Sequence, residues 1–197
     1  MMYEYTDKII STMNKRFIRV MDRLKRRLAS IDEISVLLTE SEQTIAELDR
    51  ITRAMLLKAA KKAYKDNGGE LDTIDEMWLI AYLSGLSPVT KYSYTNEVDR
   101  KQSRFFETLA ASDKDPKELK TALRLWAHMA GEYALEVTDA AVMEAFWEAN
   151  VKKVRWLTEM DDRECAECAS RNNKVYRISK VPSKPHWGCR CVLVPAK

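Results

Sequence analysis

Apolar positions recur every three or four residues along the first three quarters of the chain. Ile10, Met13, Phe17, Val20, Met21, Leu24 and Leu28 form the first such series, which puts one apolar stripe on an α-helix and a fan of arginines opposite it. A stripe of this kind faces a partner. Ile45, Leu48, Thr52, Met55, Ala59 and Ala63 predict a second helix that begins near Thr39 to Ser41 and stops at Asn67-Gly68-Gly69, where glycine can take the left-handed cap conformation. Thr73-Ile74-Asp75-Glu76 has capping-box spacing, the hydroxyl satisfying one free amide and the carboxylate reaching back for another. It predicts a short helix through Met77, Trp78, Ala81 and Tyr82, ended by Ser87-Pro88. A mixed helical segment follows from about Val89 to Ala111, with Tyr92, Tyr94, Arg100, Arg104, Phe105 and Phe106. Asp115 as cap and Pro116 at the first helical position predict the next start, because proline there lacks only an amide that has no partner anyway. This helix runs past Leu119, Leu123, Trp126 and Met129, breaks near Val137 to Asp139, and resumes through Val142, Phe146 and Trp147 to about Asn150.

The period changes at Lys152. Val154-Arg155-Trp156-Leu157 alternates and is rich in strand formers, as are Lys174 to Ile178 and Cys189 to Val194, so three short strands are predicted with turns at Arg171-Asn172-Asn173 and Val181 to Pro185. About 45 residues make too small a core to stand alone, and such modules need a structural metal or docking onto a larger body. The expected fold class is therefore mainly α with a small C-terminal α+β module. Residues 1–150 form a helical body with a basic N-terminal helix, and residues 151–197 form a compact three-stranded, metal-stapled β module.

Composition supports a folded chain. Apolar residues make up 46% and charged residues 32% of the 197, a globular balance. The chain opens without a basic segment followed by an apolar run, and no stretch reaches the ~18 apolar residues of a membrane span. A membrane partner is not expected, and a reducing cytoplasm is, where clustered cysteines bind metal more often than they form disulfides. The net charge of +3 hides a segregation: residues 15–27 carry +6 and residues 165–197 another +6, around an acidic middle. Basic ends suit a polyanion or an acidic partner, although a solvated helix face is the favoured reading of the first run.

All four cysteines lie in the last 33 residues, as Cys165-Ala166-Glu167-Cys168 and His186-Trp187-Gly188-Cys189-Arg190-Cys191. Two short-spaced groups of soft donors on separate turns supply a tetrahedral zinc site with little strain. Five donors compete for four places. Either Cys189 and Cys191 ligate with His186 outside, or His186 enters and one of those cysteines serves elsewhere. A metal-free reduced core and a disulfide from Cys168 to Cys189 or Cys191 are the competing readings. Catalysis is not expected, because a thiolate-rich zinc site is closed and structural. Asp161, Asp162 and Glu164 lie near the first knuckle in sequence as candidate bases. His128, a lone helical histidine, reads as a core or flank residue, and Trp126, Trp147 and Trp156 as packing anchors. Arg190 pairs with an acid such as Asp161 or points to solvent.

Trp156 to Cys168, then Asn173-Lys174-Val175-Tyr176, then Pro185-His186-Trp187-Gly188-Cys189-Arg190-Cys191 and a closing Pro195 resemble the C-terminal signature of the phage Mu F-like head morphogenesis proteins. The likeness covers about 60 residues from near Ala140, with Asn173 standing where family members often have glycine. It implies a minor head protein of a tailed phage or prophage, associated with the portal vertex and acting in head assembly and in DNA packaging or ejection. The implied partners are the portal protein, the major capsid or scaffolding protein, and packaged DNA contacted non-specifically. The implied location is the virion, in the head interior or at the portal vertex, after assembly in the host cytoplasm. The alternative is a nucleic-acid-binding zinc-ribbon protein that uses its basic terminal module on phosphates and Trp187 or Tyr176 for base stacking.

Overall fold

The computed structural model describes residues 4–31, 33–70, 73–87, 91–111, 116–160, 164–186 and 188–197. Five helices come first: α1 (Glu4–Leu28), α2 (Ile34–Asp66), α3 (Glu76–Ser84), α4 (Tyr94–Ala111) and α5 (Pro116–Glu148). The strands β1 (Lys153–Leu157), β2 (Val175–Arg177) and β3 (Val192–Ala196) follow, with a short α6 (Ala166–Arg171) between the first two and a 3-10 turn at Ile178–Lys180. A mainly α chain with a small C-terminal α+β module is the observed class.

The stripe on α1 is covered by the chain itself. Met13 and Phe17 have no exposed surface, and Ile9, Val20, Met21, Leu24 and Leu28 are buried with them against α2 and α5. Contacts order the helices. Arg23 pairs with Glu47 and Arg27 with Glu40, so α1 and α2 are antiparallel. Thr6 Oγ1 meets Thr138 Oγ1 at 3.3 Å, and Trp126 Nε1 donates to Thr52 Oγ1 at 3.2 Å. Small residues line the α2–α5 seam: Ala59, Ala60 and Ala63 on one side and Ala130, Ala134, Ala141 and Ala145 on the other are buried. Seven methyl side chains allow the two longest helices to approach closely along their length.

Several local expectations are revised. Helix α2 starts at Ile34, five residues before Thr39, and its cap Glu33 makes no side-chain cap bond. No side-chain cap bond marks that start, and of its first apolar residues Ile34, Val36 and Leu38 are exposed while only Leu37 is buried. The cap of α3 is Asp75, whose carboxylate accepts from Trp78 N at 2.7 Å, not Thr73. The Thr73 hydroxyl instead donates to Glu148 at 2.9 Å, where Tyr64 also bonds. Helix α3 ends at Ser84 with Gly85 as its cap. The predicted break near Val137 to Asp139 is absent, because Val137 and Thr138 are buried in the middle of a continuous α5 and Thr138 returns its hydroxyl bond to Ala134 O. Pro116 is the first residue of α5, while its predicted cap Asp115, like Pro88 and Val89, lies outside the described residues. Trp147 is 54% exposed and is not a packing anchor, whereas Trp126 and Trp156 are buried.

The sheet is antiparallel with order β2-β1-β3. Its central strand alternates as expected of a half-buried strand: Lys153 and Arg155 are exposed, Val154 and Trp156 buried. Those two inward residues enter different interiors. Val154 joins the helical core, and Trp156 joins a second cluster with Cys168, Cys189 and Cys191. Leu193 and Val181 touch both clusters. The third strand begins at Val192, beyond Cys189 and Cys191, because those side chains are committed to the second cluster.

Candidate metal centre

The Cys165-x-x-Cys168 knuckle is the first turn of α6. Cys165 is the N-cap, and its sulfur accepts from Cys168 N at 3.3 Å. A cysteine at this position feels the free amides of the helix start, and the Cys168 amide, ahead of other hydrogen bonds, lowers the Cys165 thiol below the usual range. Cys168 lies one turn on, facing inward, and is 3% exposed. Burial pushes its thiol and that of Cys189 upward, so thiolates there need a compensating cation.

The second group arrives on the loop before β3. Cys168 Sγ is 3.7 Å from His186 Nε2 and 3.6 Å from Cys189 Sγ. Two donors bound tetrahedrally to one zinc ion at ~2.3 Å stand about 3.8 Å apart, so the spacing fits a shared ion. Donor atoms of Cys165, Cys168 and His186 lie within 4.8 Å of one another, as do those of Cys168, Cys189 and Cys191. Both triads contain Cys168. All five predicted donors thus gather in one place and can hold a metal ion, with Cys168 as the common member. None of the four cysteines is in a disulfide, and the Cys168–Cys189 separation of 3.6 Å is far beyond a disulfide bond.

Several side chains that the sequence did not single out fasten this centre. Glu132 of α5 accepts from Gly188 N at 2.5 Å, holding the loop between His186 and Cys189 onto the helical body. Lys184 pairs with Asp139 of α5 and donates to Cys189 O at 3.1 Å. Arg171 pairs with Glu167, donates to Ser183 O at 2.7 Å and lies 5.1 Å from the Trp156 ring centre. No pattern in the sequence marks Glu132 or Asp139, because the contacts join residues 45 to 56 positions apart. Asn173 has φ of +62°, and its amide donates to Trp156 O at 2.8 Å. Asparagine enters that left-handed region more readily than other residues with a side chain.

The remaining candidates fall as follows. His128 is an exposed flank residue, 3.8 Å from Glu132. Tyr176 packs edge-on to Trp156, ring centres 6.4 Å apart. Glu164 and Arg190 both line a small recess beside Cys165. Asp161, Asp162 and Trp187 lie outside the described residues. No helix among the described residues is long and apolar enough to cross a membrane. No family model matches the chain, and no curated protein or solved structure matches it either.

Proposed function

We propose that this protein is a minor head protein of a tailed phage or prophage, seated at the portal vertex and acting in head assembly and in DNA packaging or ejection. The supporting observation is that, of the residues carrying the resemblance, Cys165, Cys168, His186, Cys189 and Cys191 converge and Trp156 packs with the buried cysteines, while Asn173 makes a left-handed turn beside them. The ion is zinc, since sulfur and imidazole donors at tetrahedral spacing select it. The clasp is structural and the protein is not an enzyme. A thiolate-rich set whose Cys168, Cys189 and Cys191 are buried fills the coordination sphere and leaves no open position for a substrate.

Partner contact belongs to surfaces of the helical body. Arg23 and Arg27 are neutralised by α2, so the basic face that remains outward on α1 includes Lys15, Arg16 and Arg19, all exposed. We assign the portal protein to this face, with packaged DNA touched non-specifically and the major capsid or scaffolding protein as further neighbours in the virion. The chain co-expressed with the portal protein of its own genome should elute as a complex at physiological salt. Reversing Lys15, Arg16 and Arg19 to glutamate should dissolve it without lowering Tm. Absence of a complex, together with tight sequence-dependent DNA binding in a gel shift, would favour the zinc-ribbon alternative. The packing of Tyr176 against Trp156 argues against base stacking there.

A further inference from the structure

A cleft of about 390 Å³ lies between α5, α3 and the terminal module. Its walls are largely apolar, from Tyr82 of α3, Met143 and Trp147 of α5, and Trp156 and Leu193 of the sheet. Glu132, Glu136 and Asp139 line the same cleft, at a spacing that puts three carboxylates on one face of α5. The facing basic groups are Lys184 and His186. Lys184 is already held by Asp139 and by Cys189 O, and Glu132 by Gly188 N. Glu136 differs. One of its oxygens accepts from Ser87 Oγ at 2.6 Å, while the other is buried with no hydrogen-bond partner. Burial foremost, with Asp139 and Glu132 adding to it, raises this carboxyl above its usual range.

The geometry points to a receptor cleft for a basic side chain carried on an apolar segment of a partner protein. The apolar walls take the flanking aliphatic groups, and the half-exposed Trp147 at the rim offers a ring face to a cation. The carboxylate stripe takes the charge. The terminal torsion of glutamate is soft, so the unsatisfied oxygen of Glu136 turns outward to meet an incoming donor. Arginine suits the site better than lysine, because its planar guanidinium can satisfy both oxygens of one carboxylate. A volume of this size admits a side chain and its neighbours.

The test uses the isotope-labelled full chain and two capped peptides, acetyl-Leu-Arg-Leu-amide and the same peptide with citrulline, which keeps the shape without the charge. The arginine peptide should shift the Trp147 indole resonance saturably, and the citrulline peptide should bind about tenfold more weakly, as loss of a charge-assisted pair implies. Glu136→Gln should shrink that difference. Ala140→Met, which fills the cleft without changing charge, should abolish binding of both. Equal affinity for the two peptides, indifference to both variants, or no binding at millimolar peptide would overturn the proposal. So would methylguanidinium alone binding as well as the peptide, since the site would then serve a free small cation.

Discussion

The helical body and the terminal module bury themselves by different physics. In the body, α1, α2 and α5 interlock over a continuous apolar core in which Met13, Phe17, Leu56 and Ala130 have no exposed surface. In the module, the corresponding interior is Trp156 with Cys168, Cys189 and Cys191, and thiols outnumber hydrocarbon side chains. Stability from apolar area is lost in increments, one side chain at a time. With a metal bound as proposed, stability from converged donors would be lost together, because each donor is useful only while the others hold the ion. The two interiors meet on β1, where Val154 and Trp156 sit two residues apart.

The sharpest break of this contrast is Cys168→Ser. Cys168 belongs to both donor triads, so zinc binding should fall from one ion per chain to none, as read by elemental analysis of dialysed protein. Structural zinc contributes of the order of 10 kcal/mol in small metal-dependent domains. Amides of β1 and β3 should then exchange rapidly while those of α2 and α5 stay protected. Equal protection throughout would mean that the module does not depend on the ion. The mirror experiment is Phe17→Ala, which should cost about 3–5 kcal/mol in the body. Its chemical-denaturation midpoint should drop, with zinc content unchanged under native conditions.

Smaller effects sharpen the boundary between the regions. Glu132→Gln removes the charge that holds Gly188 and so loosens the second knuckle; metal affinity in competition with a chelator should weaken by about 10-fold, as for outer partners of other metal sites. The carboxyl of Glu136, raised by burial, gives a pH signature. Its protonated form is favoured in the folded chain, so its contribution is full below the ordinary carboxylate range and is lost as pH rises through the raised value. Glu136→Gln should flatten that part of the stability–pH curve; an unchanged slope would exclude the residue. Asn173→Gly should be nearly neutral, within about 0.5 kcal/mol in Tm-derived stability, since both residues accept the left-handed turn.

Much of the body was legible because helix periodicity is local. The stripe from Met13 to Leu28, the stop at Asn67-Gly68 and the start at Pro116 follow from side chains within a turn or two of each other. The start of α2 was not, because nothing caps it. The break predicted in α5 failed for a different reason: β-branched Val137 and Thr138 weaken a helix in isolation, but burial against the core holds it together. In the module, the spacing of the cysteines announced convergent donors, and the alternation from Val154 to Leu157 announced a half-buried strand with Trp156 as a packing anchor. The bonds from Glu132 and Asp139 to the knuckle loop could not be read, since acidic residues on a helix normally face water.

The sequence by itself determined most of the helical periodicity, the alternation of β1 and the five side chains that could serve as metal donors, because periodicity and ligand chemistry are written in neighbouring residues. Only the tertiary structure decided that the α1 stripe is spent on the chain's own core, that Arg23 and Arg27 are neutralised, and that Cys168 stands where both donor groups meet. Those outcomes depend on which distant surfaces touch, and contact across a hundred residues is settled by packing the whole chain at once.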